Sequence, residues 1–112
     1  MRTDNLVIPQ GATWGNLWPL KDSDGNTPTL TGWDGRAQVR TTHASDVVLY
    51  EWSTALGNLN LTTEGLLLTV EPAVSAAWDW SKGVYDVELF HTDGTVIRLT
   101  QGAVTVDPEV TR

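Results

Sequence analysis

The stretch "VYDVELFHTDGTVIRLT" constrains the fold more than any other part of the chain. Tyr85, Val87 and Leu89 fall on one face of an extended strand, and Asp86 and Glu88 on the other, because successive side chains of a strand alternate. Asp93-Gly94 follows at once, a pair suited to the positive φ angles of a two-residue hairpin turn. The return strand is expected over 95–100, with Ile97 and Leu99 inward and Arg98 outward. Gln101-Gly102 then reads as a bulge before "AVTV" resumes. A second segment, "GRAQVRT", alternates in the same way: Ala37 and Val39 oppose Arg36, Gln38 and Arg40.

Turn signals recur at short intervals along the rest of the chain: "KDSDGNTP" at 21–28, "HASD" at 43–46, "ALGN" at 55–58, "TTEG" at 62–65 and "SKG" at 81–83. Short strands separated by turns at this spacing predict a β-sandwich or barrel. One segment departs from the pattern. "EPAVSAAWDW" has Pro72 where a first helical turn tolerates it and Lys82-Gly83 as a stop, so a short helical turn is expected near 72–80. Val74 and Trp78 then share a face, and Trp80 points elsewhere. With 112 residues the chain makes one domain, 1–112, large enough to bury one core.

Composition removes several classes of function. Fourteen acidic side chains oppose seven basic ones, for a formal charge of −7, and the basic residues form no run. Binding a phosphate backbone or an anionic bilayer needs clustered positive charge, so neither nucleic acid nor membrane is expected as a partner. Absence of cysteine excludes disulfides and thiolate metal sites. The N-terminal "MRTDNLVIPQG" has no apolar run of the length a signal peptide or a membrane span requires.

No enzyme is expected, and no catalytic, metal or cofactor-binding residue is assigned. His43 and His91 lie at polar turns without a serine or cysteine in a nucleophile context such as Gly-x-Ser-x-Gly. Asp22, Asp24 and Asn26 suggest a calcium loop, but counting from Asp22 the sixth position is Thr27 and the twelfth Trp33, where an EF-hand needs Gly and Glu. Asx turns account for that segment better. No phosphate-cradling glycine loop is present either.

Six tryptophans against one Phe and two Tyr are the remaining lead. Trp14 and Trp18 are four apart in "IPQGATWGNLWPL" and share one face of a strand. Large aromatics fill small cores, burying about 150–250 Å² each, and they also mark contact surfaces. Three or four of the six are expected in the core. Trp14, Trp18, Trp33 and Trp80 are the candidate interface residues.

Taken in order, "IPQGATW", "DSDGNTPTLTGWDGRAQVR", "YDVELFHTDGTVIRLTQGAVTV" and a terminal "PEVTR" resemble a family of small tailed-phage virion proteins related to siphophage collar and tail-fibre-attachment domains. The resemblance implies an immunoglobulin-like β-sandwich of about seven to eight short antiparallel strands that docks on, or assembles into, a particle. It implies other phage structural proteins as partners, in many symmetric copies, and a place in the virion after synthesis in the bacterial cytoplasm. Tail, collar or minor-tail placement is preferred. A head decoration protein and a carbohydrate-binding module for host attachment are the alternatives. The resemblance implies no catalytic residue.

Overall fold

The computed structural model describes residues 2–21, 24–26 and 28–108. Among these residues, nine strands and one helical turn follow in chain order: β1 Arg2–Thr3, β2 Leu6–Pro9, β3 Trp14–Trp18, β4 Trp33–Arg40, β5 Val48–Ser53, β6 Leu59–Thr62, β7 Gly65–Val70, α1 Pro72–Ala76, β8 Lys82–His91 and β9 Val96–Asp107. They form two sheets. The larger runs β1-β9-β8-β4-β5, with β2 also on β9, and the smaller runs β3-β7-β6. An immunoglobulin sandwich of variable type has this arrangement, a G-F-C sheet extended by C′ (β9, β8, β4, β5) over a B-E-D sheet (β3, β7, β6).

Alternation decides which residues meet between the sheets. Ala37 and Val39 of β4 and Tyr85, Val87 and Leu89 of β8 face inward, opposite Leu59 of β6 and Leu66, Leu68 and Val70 of β7. Trp52 of β5 is wholly buried, and its Nε1 donates to the Thr69 carbonyl of β7 at 3.0 Å. One side chain thus ties the two sheets together in a chain without cysteine.

Four details differ from the sequence reading. The two N-terminal strands run parallel to β9 rather than antiparallel, with Arg2 opposite Thr100 and Ile8 opposite Val106. Their partner lies at the far end of the chain, and alternation carries no information about direction.

The hairpin after β8 has a three-residue loop. His91 N donates to Thr95 O at 2.8 Å and Gly94 N to His91 O at 2.9 Å, with Gly94 at φ 95° and every non-glycine φ negative. A two-residue type I′ turn would need positive φ at both central positions, whereas here Asp93 keeps a negative φ and only the glycine takes a positive one.

The irregularity in β9 falls earlier than Gln101-Gly102. Val87 faces Thr100 while Glu88 faces Arg98, which leaves Leu99 as the extra residue. The buried place beside Val87 therefore goes to Thr100. Leu99 is half-buried, and Ile97, at the rim, is 44% exposed. β9 itself continues unbroken through Gly102. The glycine serves a different purpose: the segment joining β1 to β2 crosses directly over it, with Asp4 N donating to Gln101 O and Ala103 N to Asn5 Oδ1.

The helical turn stops at Ala76, short of residue 80. Gly11 N donates to the buried Ser75 Oγ at 2.8 Å, and Gln10 Nε2 to the Trp78 carbonyl at 3.0 Å. Gly11 of the Gln-Gly corner is thus bound to this turn, and Gln10 to the segment that follows it. Because the helix ends early, Trp78 and Trp80 are not spread around it. Their rings lie together, centroids 4.7 Å apart.

Candidate functional site

The indoles pack inward. β3 places Trp14, Asn16 and Trp18 opposite Val70, Leu68 and Leu66, the buried face of β7. Trp18 is 3% exposed, stacks on Tyr85 at 6.4 Å and donates through Nε1 to Asp4 Oδ2 at 2.8 Å. Its assignment as an interface residue is therefore corrected: it belongs to the core of this domain. Trp14, Trp33 and Trp80 are half-buried against that core, as is Trp78. The four candidate residues do not converge. Trp14 joins a ladder of rings, Trp14–Trp52–Tyr50–Trp78–Trp80, with successive centroids 4.7–6.3 Å apart. Trp33 sits apart, edge-on to His91 at 4.9 Å. Within the ladder, Trp80 Nε1 is buried without an acceptor among the described residues.

The outer face of the larger sheet is polar. β4 contributes Arg36, Gln38 and Arg40, and β8 contributes Asp86 and Glu88 in register beside them. Together with Thr42 and His43 they line an open groove of about 250 Å³. Arg40 donates to Gln38 Oε1 at 2.8 Å and to the Ser45 carbonyl at 2.6 Å, and Gln38 donates to Glu51 Oε1 at 2.9 Å. Arg98 approaches Asp86 at 3.7 Å, both side chains solvated, so this pair adds under about 1 kcal/mol. The groove has the character of a solvated, hydrogen-bonded sheet face that can meet another polar surface.

The β8–β9 tip places Phe90 opposite Val96, with both side chains exposed. His91, behind it, is a bracing residue. Its Nδ1 lies 3.2 Å from the Asp93 amide and its Nε2 3.3 Å from the Thr31 carbonyl. The backbone N–H of Thr95 donates to Asp93 Oδ1 at 2.9 Å, and this bond above all holds the Asp93 carboxyl below its usual pKa. A carboxyl lowered on folding stabilises the turn above its unfolded pKa, and that stabilisation fades as pH falls through the lowered value. In an NMR titration the Thr95 amide shift should therefore have its midpoint below 3.8. A midpoint at or above 3.8 would contradict the bond.

His43 is exposed in the turn after β4. The calcium-like segment involves Asp22 and Thr27, which lie outside the described residues. Among the described residues no group of three or more His, Asp or Glu is placed to hold a metal, and no helix is long and apolar enough to cross a membrane.

No protein-family model and no curated protein sequence matches the chain. Solved structures do. Tim-1 is 16% identical over 100% of this chain and 98% of its own, with a TM-score of 0.51. Murine CRIg is 13% identical over 94% of this chain and 92% of its own, at 0.45. Drosophila OTK extracellular domains 3–5 are 15% identical over 91% of this chain, at 0.45, and the chain spans 32% of that structure's length. The likeness to Tim-1 agrees with the strand order: the fold is an immunoglobulin-like β-sandwich.

Proposed function

We propose that this chain is a non-enzymatic structural protein of a tailed-phage particle, docking on or assembling into it through its sheet surfaces. Tail, collar or minor-tail placement is preferred and head decoration is the alternative. The observation that carries this reading is where the tryptophans go: all six are buried or half-buried against one core. With the indoles engaged there, polar faces and strand edges are left as the working surface. The motifs behind the family resemblance also lie on neighbouring elements. "IPQG" closes β2 onto α1, "GWDGRAQVR" enters and forms β4, and the "YDVELFHTDG" segment with its return strand forms the β8–β9 hairpin. The last motif, "PEVTR", lies largely outside the described residues.

Quantitative mass spectrometry of particles purified from the phage that encodes the chain should find it in many copies per particle. Particles without it would end the proposal. The carbohydrate reading requires a sugar ring stacked on an exposed indole, and Trp14, Trp33, Trp78 and Trp80 are each half-buried against the core. Titration with host cell-wall polysaccharide is expected to leave tryptophan fluorescence unchanged. A saturable shift would favour glycan binding instead.

A further inference from the structure

The smaller sheet carries no charge. None of the residues of β3 (WGNLW), β6 (LNLT) or β7 (GLLLTV) is Asp, Glu, Lys, Arg or His, in a chain with fourteen acidic and seven basic side chains. β3 is an edge of that sheet, with β7 as its one strand neighbour among the described residues. Constant-type sandwiches place strand A beside it, whereas here the N-terminal strands follow β9 instead. An edge strand presents unpaired N–H and C=O groups, and proteins usually guard it with charge, proline or a bulge. β3 has no charge and no proline, and its register with β7 is regular. Pro19 comes only after it ends.

The side chains of β3 make it self-complementary. Leu17 points to the outer face and is 40% exposed. Gly15, on the same face, has no side chain, and a Cβ placed there would meet nothing closer than 3.6 Å. On the inner face the half-exposed Asn16 lies between the two indoles, and its amide makes no side-chain hydrogen bond among the described residues.

We infer that β3 is the contact edge between two copies of this chain, paired antiparallel about a two-fold axis at Asn16. That register sets Gly15 opposite the second copy's Leu17, so each leucine covers a glycine, and Trp14 opposite the second copy's Trp18. The two Asn16 amides meet and exchange hydrogen bonds, which fixes the register. A two-fold contact must be self-complementary, and Trp-Gly-Asn-Leu-Trp read about its middle residue satisfies that condition. Charge permits this contact. Copies of net charge −7 repel each other, least so where the sheet is neutral. A basic partner strand would find no carboxylate on β3 to engage. Asp4, in the segment that borders this edge, has its carboxylate bound to Trp18 Nε1. The contact is a property of the isolated chain and does not depend on the particle reading.

The chain has no cysteine, which makes the test direct. Directly opposed residues of an antiparallel pair have Cα atoms about 4.5–5.5 Å apart, within disulfide range. Asn16→Cys should form an intermolecular disulfide roughly tenfold or more faster than Val96→Cys, a control at an exposed position of the larger sheet. In sedimentation, the unmodified chain should show a concentration-dependent dimer. Leu17→Lys should be monomeric and still folded, because Leu17 lies outside the core. Equal crosslinking rates in the two cysteine variants would overturn the inference. So would a chain that stays monomeric at about 0.5 mM, a concentration that populates even weak dimers, or a Leu17→Lys variant that dimerises as the unmodified chain does.

Discussion

Trp52→Ala is expected to lower unfolding free energy by about 3–5 kcal/mol, the range for removing a large aromatic from a core. Small domains are stable by only about 5–15 kcal/mol, so the variant should melt far below the unmodified chain. The reason lies in where this indole sits. It is fully buried on β5 of the larger sheet, in contact with the rings of Tyr50 and Trp14, and its Nε1 bonds the Thr69 carbonyl of the smaller sheet. Trp52→Phe separates the two contributions. The phenyl ring keeps part of the packing but leaves the Thr69 carbonyl without the indole donor, at a cost of about 1–3 kcal/mol. Urea unfolding of both variants measures the difference. A loss below about 1 kcal/mol for Trp52→Ala would mean that the sheets are held together elsewhere.

Gly102→Ala is the second large effect, at about 3 kcal/mol. The added methyl would stand 2.7 Å from the Asp4 carbonyl carbon and 3.2 Å from Asn5 Oδ1. Most of that obstacle is backbone, so no rotamer change relieves it. The backbone itself is pinned: Tyr85 Oη donates to Asp4 O at 2.6 Å, Asp4 N to Gln101 O at 2.9 Å, and Trp18 Nε1 to Asp4 Oδ2. The methyl must push the β1–β2 connection off β9 and break part of this set. Hydrogen exchange should then show amides of β2 losing protection before those of β8. Unchanged protection at residues 6–8 would show that the crossing adapts.

These two sites also show how far the sequence could be read. The alternation in β4 and β8 was legible because charged and apolar residues take opposite faces, and the sandwich followed from turn spacing. β3 was only half legible. Trp14 and Trp18 were placed correctly on one face, but Leu17 on the other is apolar too, so the pattern held no sign of which face was inner. That ambiguity led to Trp18 as a contact residue when it is core. Gly102 looked like a bulge because a glycine in a strand marks either a bulge or a close backbone approach. Only the tertiary position of Asp4 distinguishes the two. Similarly, nothing local indicates that β2 runs parallel to a strand at the opposite end of the chain, or that the Trp78 ring packs on Tyr50 and Trp80. The neutral edge of β3 was visible as an uncharged stretch, but its meaning required knowing that β7 is its one strand neighbour among the described residues.

In the role we propose, this sandwich works by assembly, its indoles held in the core and its sheet surfaces turned to neighbouring subunits. A density map of the purified particle tests it most directly. An immunoglobulin-like domain with this strand order is expected at symmetry-related positions, on tail or collar in preference to head, with sheet faces or edges buried against other subunits. A map in which no site in head, collar or tail accommodates the domain would contradict it.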